Sequence, residues 1–297
     1  YTIVAGLSTS TNDVPPRFVT LAIAGGPGTN ALSNYRYEIG RFRVDRNAPP
    51  PPFDSTGPAT LDLTGFKLTF DDEFSTADIS SNGRPRRWIS HFPTYGSFGE
   101  SKFVDIGPGF PFNASNGILT IQARRVAGRW ESGLISSVDS KAIGFSQQYG
   151  YFEMRAKVPK GPGTWPAFWL LETSQICHRD VNLPRSEIDI MEQYGHEPQV
   201  LVTTLHRWLP GNHQTFSHRA YVPDMSKGFH NYGLMWDDNN IVWFFDGVEV
   251  FRCPTPPEAK VPMYMMVDLA LGSGWPIDQT PDPSEMQVKY VRVYATK

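Results

Sequence analysis

The sequence predicts an all-β protein, a large sandwich of two antiparallel sheets, and three observations carry that expectation. Only 19% of the 297 residues are charged while 13% are aromatic. Gly and Pro, 26 of each, are spread throughout without a collagen-like period. Short β-branched and aromatic runs alternate with turn formers, and no stretch of a dozen residues holds a 3.6-residue apolar period. The net charge of −3 argues against a basic nucleic-acid or anionic-membrane binder. An apolar content of 40% is ample for a core and excludes disorder. The longest apolar stretches, Trp165 to Leu171 and Met263 to Leu271, fall well short of the roughly 20 residues of a spanning helix.

Along the chain, residues 1–48 hold strand-like pieces at Arg17 to Ala24 and Tyr35 to Val44. A segment that small is a marginal fold by itself, so it reads as an accessory or truncated upstream module. Residues 49–63 form a Pro-rich linker, opened by the run Pro49 to Pro52, which favours stiff polyproline geometry. The main domain is expected over 64–297. Phe66 to Phe70, Ile118 to Ala123, Tyr149 to Val158, Val200 to His206 and Ile241 to Phe245 read as its strands. Asp237-Asp238-Asn239-Asn240 and Asp246-Gly247 read as hairpin turns between apolar runs. Cys177 and Cys253 leave open one disulfide or two buried thiols.

The most informative stretch runs from Pro184 to Gly195 and contains Glu187-Ile188-Asp189-Ile190-Met191-Glu192. A two-residue period puts Glu187 and Asp189 on one strand face and Ile188 and Ile190 on the other. Strict alternation then sends Glu192 to the apolar side, where an unpaired carboxylate is costly. One extra residue near Ile190-Met191, a β-bulge, returns Glu192 to the face of the other two acids. Two carboxyl groups about 5 Å apart suit glycosidic-bond hydrolysis with retention, one as nucleophile and one as general acid. An intervening acid can hydrogen-bond the nucleophile and hold the two pKa values apart. Calcium ligation and a solvated acidic edge are the other readings of the same residues.

The Glu187 to Glu192 string resembles the bulged active-site signature of glycoside hydrolase family 16, which includes laminarinases, lichenases, agarases and carrageenases. The resemblance extends to the segments Leu68 to Phe74, Tyr149 to Lys157, Trp165 to Leu171, His230 to Trp236, Ile241 to Gly247 and Tyr290 to Tyr294. It implies a concanavalin-like β-jelly roll whose concave sheet forms the substrate cleft. By position it implies Glu187 as nucleophile, Glu192 as general acid/base and Asp189 as the assisting acid.

Aromatic rings suit sugars because the C–H faces of a pyranose lie flat on them. Trp165 and Trp169 alternate onto one face of their strand, and Tyr194 shares the face of Glu192 beyond the bulge; all three are candidate sugar platforms. Trp169 has a second reading, as ordinary core. Trp275, exposed in the loop Gly272 to Pro276, and His206, in alternation with Val202 and Thr204, gain a place beside the cleft from the resemblance. The other six histidines show no zinc-ligand spacing. No cofactor is expected for catalysis. A structural Ca²⁺ is implied by the family, but Lys289 stands where an acidic ligand is expected.

The expected protein is therefore a secreted, extracellular, monomeric endo-glycanase that acts by retention on a polysaccharide. The favoured substrate is a β-1,3 or mixed β-1,3/1,4-glucan. A sulfated galactan or bacterial exopolysaccharide as substrate, a transglycosylase, and a non-catalytic lectin on the same fold are the alternatives.

Overall fold

The computed structural model describes residues 31–32, 36–37, 61–82, 86–177, 180 and 182–297. The chain divides into two units, Tyr1–Pro49 and Pro50–Lys297. In the first, β1 (Ala31–Leu32) and β2 (Arg36–Tyr37) form an antiparallel pair. The strand expected over Arg17 to Ala24, most of that over Tyr35 to Val44, and the proline run lie outside the described residues.

The second unit opens with β3 (Phe66–Asp72), β4 (Ile79–Ser80), β5 (Trp88–Ile89), β6 (Lys102–Phe103) and β7 (Phe112–Ser115). Next come β8 (Ile118–Val126), β9 (Arg129–Ser132), β10 (Leu134–Ser136), β11 (Gly150–Lys157) and β12 (Thr164–Glu172). The one-turn helix α1 (Ser174–Cys177) precedes β13 (Arg185–Glu192), β14 (Val200–Leu209), β15 (Asn212–Tyr221) and β16 (His230–Trp236). The chain closes with β17 (Asn240–Phe245), β18 (Val248–Pro254), β19 (Met263–Leu271) and β20 (Ser284–Thr296).

These strands form a β-jelly roll. One sheet has eight strands in the order β15-β14-β13-β12-β19-β10-β5-β4. The other has ten, ordered β18-β17-β16-β11-β20-β8-β9-β6, with β3 also beside β20 and β7 beside β8. Pairing is antiparallel except for β4 with β5 and β6 with β9, so the expectation of purely antiparallel sheets fails at two margins. Both exceptions involve two-residue strands, which commit little backbone to a ladder.

The turn between β17 and β18 is Asp246-Gly247, with φ of +48° and +79°. Positive φ at both central residues matches the right-handed strand twist, which is why a short polar residue and a glycine stand there. The polar strand β15 was not evident in the sequence. It lies at a sheet edge with mostly exposed residues, so neither face imposes an apolar period.

The main core fills the space between the sheets. Phe168, Leu170, Ile188, Ile190, Met265 and Val267 come from the first sheet and Phe152, Trp236, Trp243, Phe245 and Val291 from the second. The opposite face of the eight-stranded sheet carries a second apolar cluster, including Ala167, Trp169, Tyr264 and Met266. Cys253 is a buried free thiol, which decides against a disulfide. Among the described residues no helix is long and apolar enough to cross a membrane.

Candidate active site

Strand β13 lies between β12 and β14 and carries the three acids. Its register with β12 passes from Trp169↔Asp189 directly to Phe168↔Met191, so Ile190 is the extra residue. Across β14, Asp189 faces Thr204 and Glu192 faces Val202, which shows the same shift. The bulge stands where alternation required it. Placing an ionised glutamate in the core costs several kcal/mol, whereas an interrupted ladder bond costs about 1 kcal/mol. The second cost is reduced, because the indole of Trp243, reaching from the other sheet, donates to the Asp189 carbonyl at 2.9 Å.

Past the bulge, Gly195 lets the chain turn closely against β12. A Cβ there would run into Thr164 Oγ1 and the Gly161 carbonyl.

Register aligns the site row by row. Glu187 faces Leu171 on β12 and His206 on β14, while Arg185 faces Trp208. Glu187, Asp189 and His206 each present an oxygen or nitrogen within 4.8 Å of the others. His206 Nε2 lies 3.1 Å from Asp189 Oδ2. That oxygen makes no hydrogen bond of good geometry, so the contact is one of charge and proximity. His206 Nδ1 lies 3.0 Å from His213 Nε2, and its ring stacks on Trp208 at 5.2 Å between centroids. The Arg185 guanidinium sits 5.0 Å from the Trp208 ring centre.

Burial raises all three carboxyl pKa values. Glu187 is raised well above the ordinary range by burial first, then by the charge of Asp189, while His206 acts against the rise. Asp189 is raised by burial and then by Glu192. Glu192 is raised by burial, with the Trp165 hydrogen bond and His206 opposing. Burial and mutual repulsion thus oppose ionising all three acids together.

The aromatic candidates divide. Trp165 is half-buried, and its indole N–H donates to Glu192 Oε1 at 2.8 Å. Tyr194 is half-buried near Trp275, ring centroids 6.3 Å apart, and Trp275 is 42% exposed. Burial and the nearby Glu192 push the Tyr194 hydroxyl up to about 12.

Trp169 corrects an expectation. It faces the site side, but Phe92 stacks on it at 6.1 Å and Phe98 packs edge-on at 5.8 Å, leaving it 7% exposed. A pyranose finds no open ring face there. Its N–H donates instead to Asp268 Oδ1 at 2.8 Å.

Sequence reasoning missed four further residues. Asp268 is fully buried in β19, and burial raises its pKa to about 8, with Glu192 adding to the rise. A lone acid within Met263 to Leu271 was its visible signal. Arg185 and Trp208 share the faces of Glu187 and His206 by simple alternation. Tyr264 is buried with an unpartnered hydroxyl. Arg185, Trp208 and Tyr264, together with Glu187, line a cavity of about 240 Å³.

At the position where the family resemblance places a calcium-binding acid, Lys289 stands exposed on β20. A cation does not fit a divalent-metal site there.

Three carboxyl groups thus share one face of a jelly-roll sheet, and Glu187 among them lines a cavity of about 240 Å³. The chain belongs to the family described as glycosyl hydrolases family 16, whose model matches residues 109–292. It is 35% identical to the endo-1,3-1,4-beta-glycanase ExsH of Rhizobium meliloti, over 80% of this chain and 53% of that protein. It is 32% identical to a beta-glucanase of Rhodothermus marinus, over 77% of this chain and 85% of the relative. The chain thus spans about half the length of the Rhizobium relative. Among solved structures, the catalytic domain of an endo-1,3-beta-glucanase (laminarinase) from Thermotoga petrophila is similar, with a TM-score of 0.64 and 25% identity. That match covers 78% of this chain and 98% of the other.

Proposed function

We propose that the protein is an endo-acting, retaining β-glycan hydrolase that cuts internal bonds of a β-1,3 or mixed β-1,3/1,4-glucan. The observation that supports this reading is the bulge at Ile190, which puts Glu187, Asp189 and Glu192 on one face beside a cavity. The printed names of relatives, an endo-1,3-1,4-beta-glycanase and a beta-glucanase, support the substrate class.

In this double displacement Glu192 enters protonated and gives its proton to the leaving glycosidic oxygen. Ionised Glu187 attacks the anomeric carbon and forms a glycosyl ester. Glu192, now a carboxylate, takes a proton from water as that water displaces Glu187, and the anomeric configuration is retained. Asp189 stands between the two glutamates and helps hold their pKa values apart while Glu187 attacks. His206 steadies Asp189, and Trp165 orients Glu192 through its N–H. Tyr194 and Trp275 carry sugar rings on the Glu192 side.

The chemistry needs no metal or cofactor. An endo-acting enzyme meets its polymer outside the cell, so this reading makes the protein secreted, and its site is complete in one chain.

A reducing-sugar assay over β-glucans, agar, carrageenan and bacterial polysaccharides tests the proposal, with Glu187→Gln as the control. Release from β-glucans by the parent and none by the variant is the expected result. Activity surviving in Glu187→Gln would overturn the nucleophile. Proton NMR of the first-formed anomer should show retention.

A further inference from the structure

A second pocket, of about 340 Å³, lies on the far side of the loop that walls the Glu187 cavity. The loop faces two ways. Phe92 and Thr94 line the Glu187 cavity, whereas His91 and Tyr95 line the second pocket. The Tyr95 N–H donates to the Phe92 carbonyl at 2.7 Å and closes the turn between them.

Tyr95 is 64% exposed, and its φ is +57°. That region is disfavoured for any residue with a Cβ, and especially for a bulky one. A large ring left in water on such backbone adds nothing to the core. The ring nonetheless has a fixed orientation, because it stacks on His91 with 4.5 Å between centroids and 21° between planes.

His91 is itself buried and anchored. Asp105 Oδ1 lies 2.7 Å from His91 Nδ1 and accepts from Ser90 Oγ at 2.7 Å. A carboxylate only accepts, so His91 Nδ1 carries the proton of this contact and the ring is held in one orientation. Asp139 and Lys141 add polar groups of opposite charge to the pocket lining, which favours no net charge on a ligand. An oriented aromatic face with hydroxyl-binding groups around it has the chemistry of a pyranose site.

We infer that Tyr95, supported by His91 and Asp105, is a distal platform for an uncharged pyranose of the glycan whose cleaved bond lies at Glu187. This rests on the glycanase reading and adds a second holding point, reached across the Phe92–Tyr95 turn.

The test compares the parent with Tyr95→Gly and Tyr95→Trp on a soluble β-1,3/1,4-glucan and on a tetrasaccharide of the same linkages. Loss of one stacked ring should raise the polymer KM about tenfold in Tyr95→Gly. Polymer kcat and tetrasaccharide kcat/KM should stay at the parent values, and Tyr95→Trp should keep the parent KM. Glycine also relieves the positive φ, so Tm should hold or rise, which separates a lost platform from a damaged fold. Equal changes on both substrates, or none on either, would overturn the platform while leaving the glycanase reading intact. If the parent cleaves no β-glucan, the glycanase reading fails. Electrophoresis in gels containing the polymers then decides the platform alone: retention lost in Tyr95→Gly supports it, and equal mobility sinks it.

Discussion

The Trp165 indole N–H donates to Glu192 Oε1 at 2.8 Å, tying an aromatic side chain of β12 to the proposed acid/base on β13. An N–H donor favours the carboxylate over the acid, and it opposes the rise that burial imposes on Glu192. Trp165→Phe keeps the ring and removes the donor. The Glu192 pKa then rises further, so the alkaline limb of the kcat/KM profile should move to higher pH. A limb that stays in place would separate Trp165 from the titration of Glu192.

The two glutamates should fail differently. Glu187→Gln and Glu192→Gln should each lose about 10³-fold in kcat on polymer, since each removes a bond-making or proton-transferring group. A substrate with an activated aryl leaving group needs no protonation, so it should rescue glycosylation in Glu192→Gln but not in Glu187→Gln. Parent activity should fall at low pH as Glu187 is protonated and at high pH as Glu192 ionises. Matching losses with the aryl substrate would reverse or merge the assigned roles.

His213 should govern how His206 meets Asp189. The 3.0 Å contact between the two imidazoles, with the His213 pKa lowered by burial and then by His206 and Arg185, ties the orientation of the His206 ring to His213. His213→Ala should lower kcat by about threefold to tenfold, the range of one hydrogen bond. His213→Gln, which restores a donor, should recover most of it. Steady-state kinetics of the pair check this, and equal defects would contradict it.

Trp169 and Trp275 should separate stability from substrate binding. Trp169→Ala empties a buried position under Phe92 and Phe98 and should cost about 3–5 kcal/mol of stability. Trp275→Ala, on an exposed ring, should change stability by no more than about 0.5 kcal/mol while raising the polymer KM. Denaturant titrations beside KM measurements distinguish them; a stable Trp169→Ala would return that residue to the list of sugar platforms.

Asp268 should make the fold sensitive to alkali. Its folded pKa is raised to about 8 by burial, against about 3.9 in an unfolded chain. The folded state keeps the proton that the unfolded state releases, so stability falls as pH rises from about 4 to about 8. The slope approaches 1.4 kcal/mol per pH unit. Asp268→Asn should flatten the Tm-against-pH curve over that window and leave the difference unchanged below it. Parallel curves for the two proteins would refute the assignment.

Much of this was written in local patterns. The bulge followed from Ile188, Ile190 and Glu192 alone, because a two-residue period cannot satisfy apolar and acidic neighbours without an extra residue. Alternation likewise put Trp165 and Trp169 on one face. It could not tell that Phe98, more than 60 residues earlier in the chain, packs edge-on against both rings while Phe92 stacks on Trp169 alone, leaving Trp165 half-buried and reaching Glu192. Arg185 and Trp208 obeyed the same alternation but had no chemical neighbour in sequence to draw notice. Polar β15, with no apolar period, left no trace at all.

The sequence by itself determined the all-β class, the turns, the bulged strand and the shared face of the three acids, since each depends on residues within a few positions. Tertiary structure alone decided which aromatic rings stay open and how Trp243 braces the bulge. It also set Asp268 against the Trp169 indole and made one loop line two cavities. Those outcomes depend on distant segments meeting across sheets, where burial, not spacing, sets what a side chain can do.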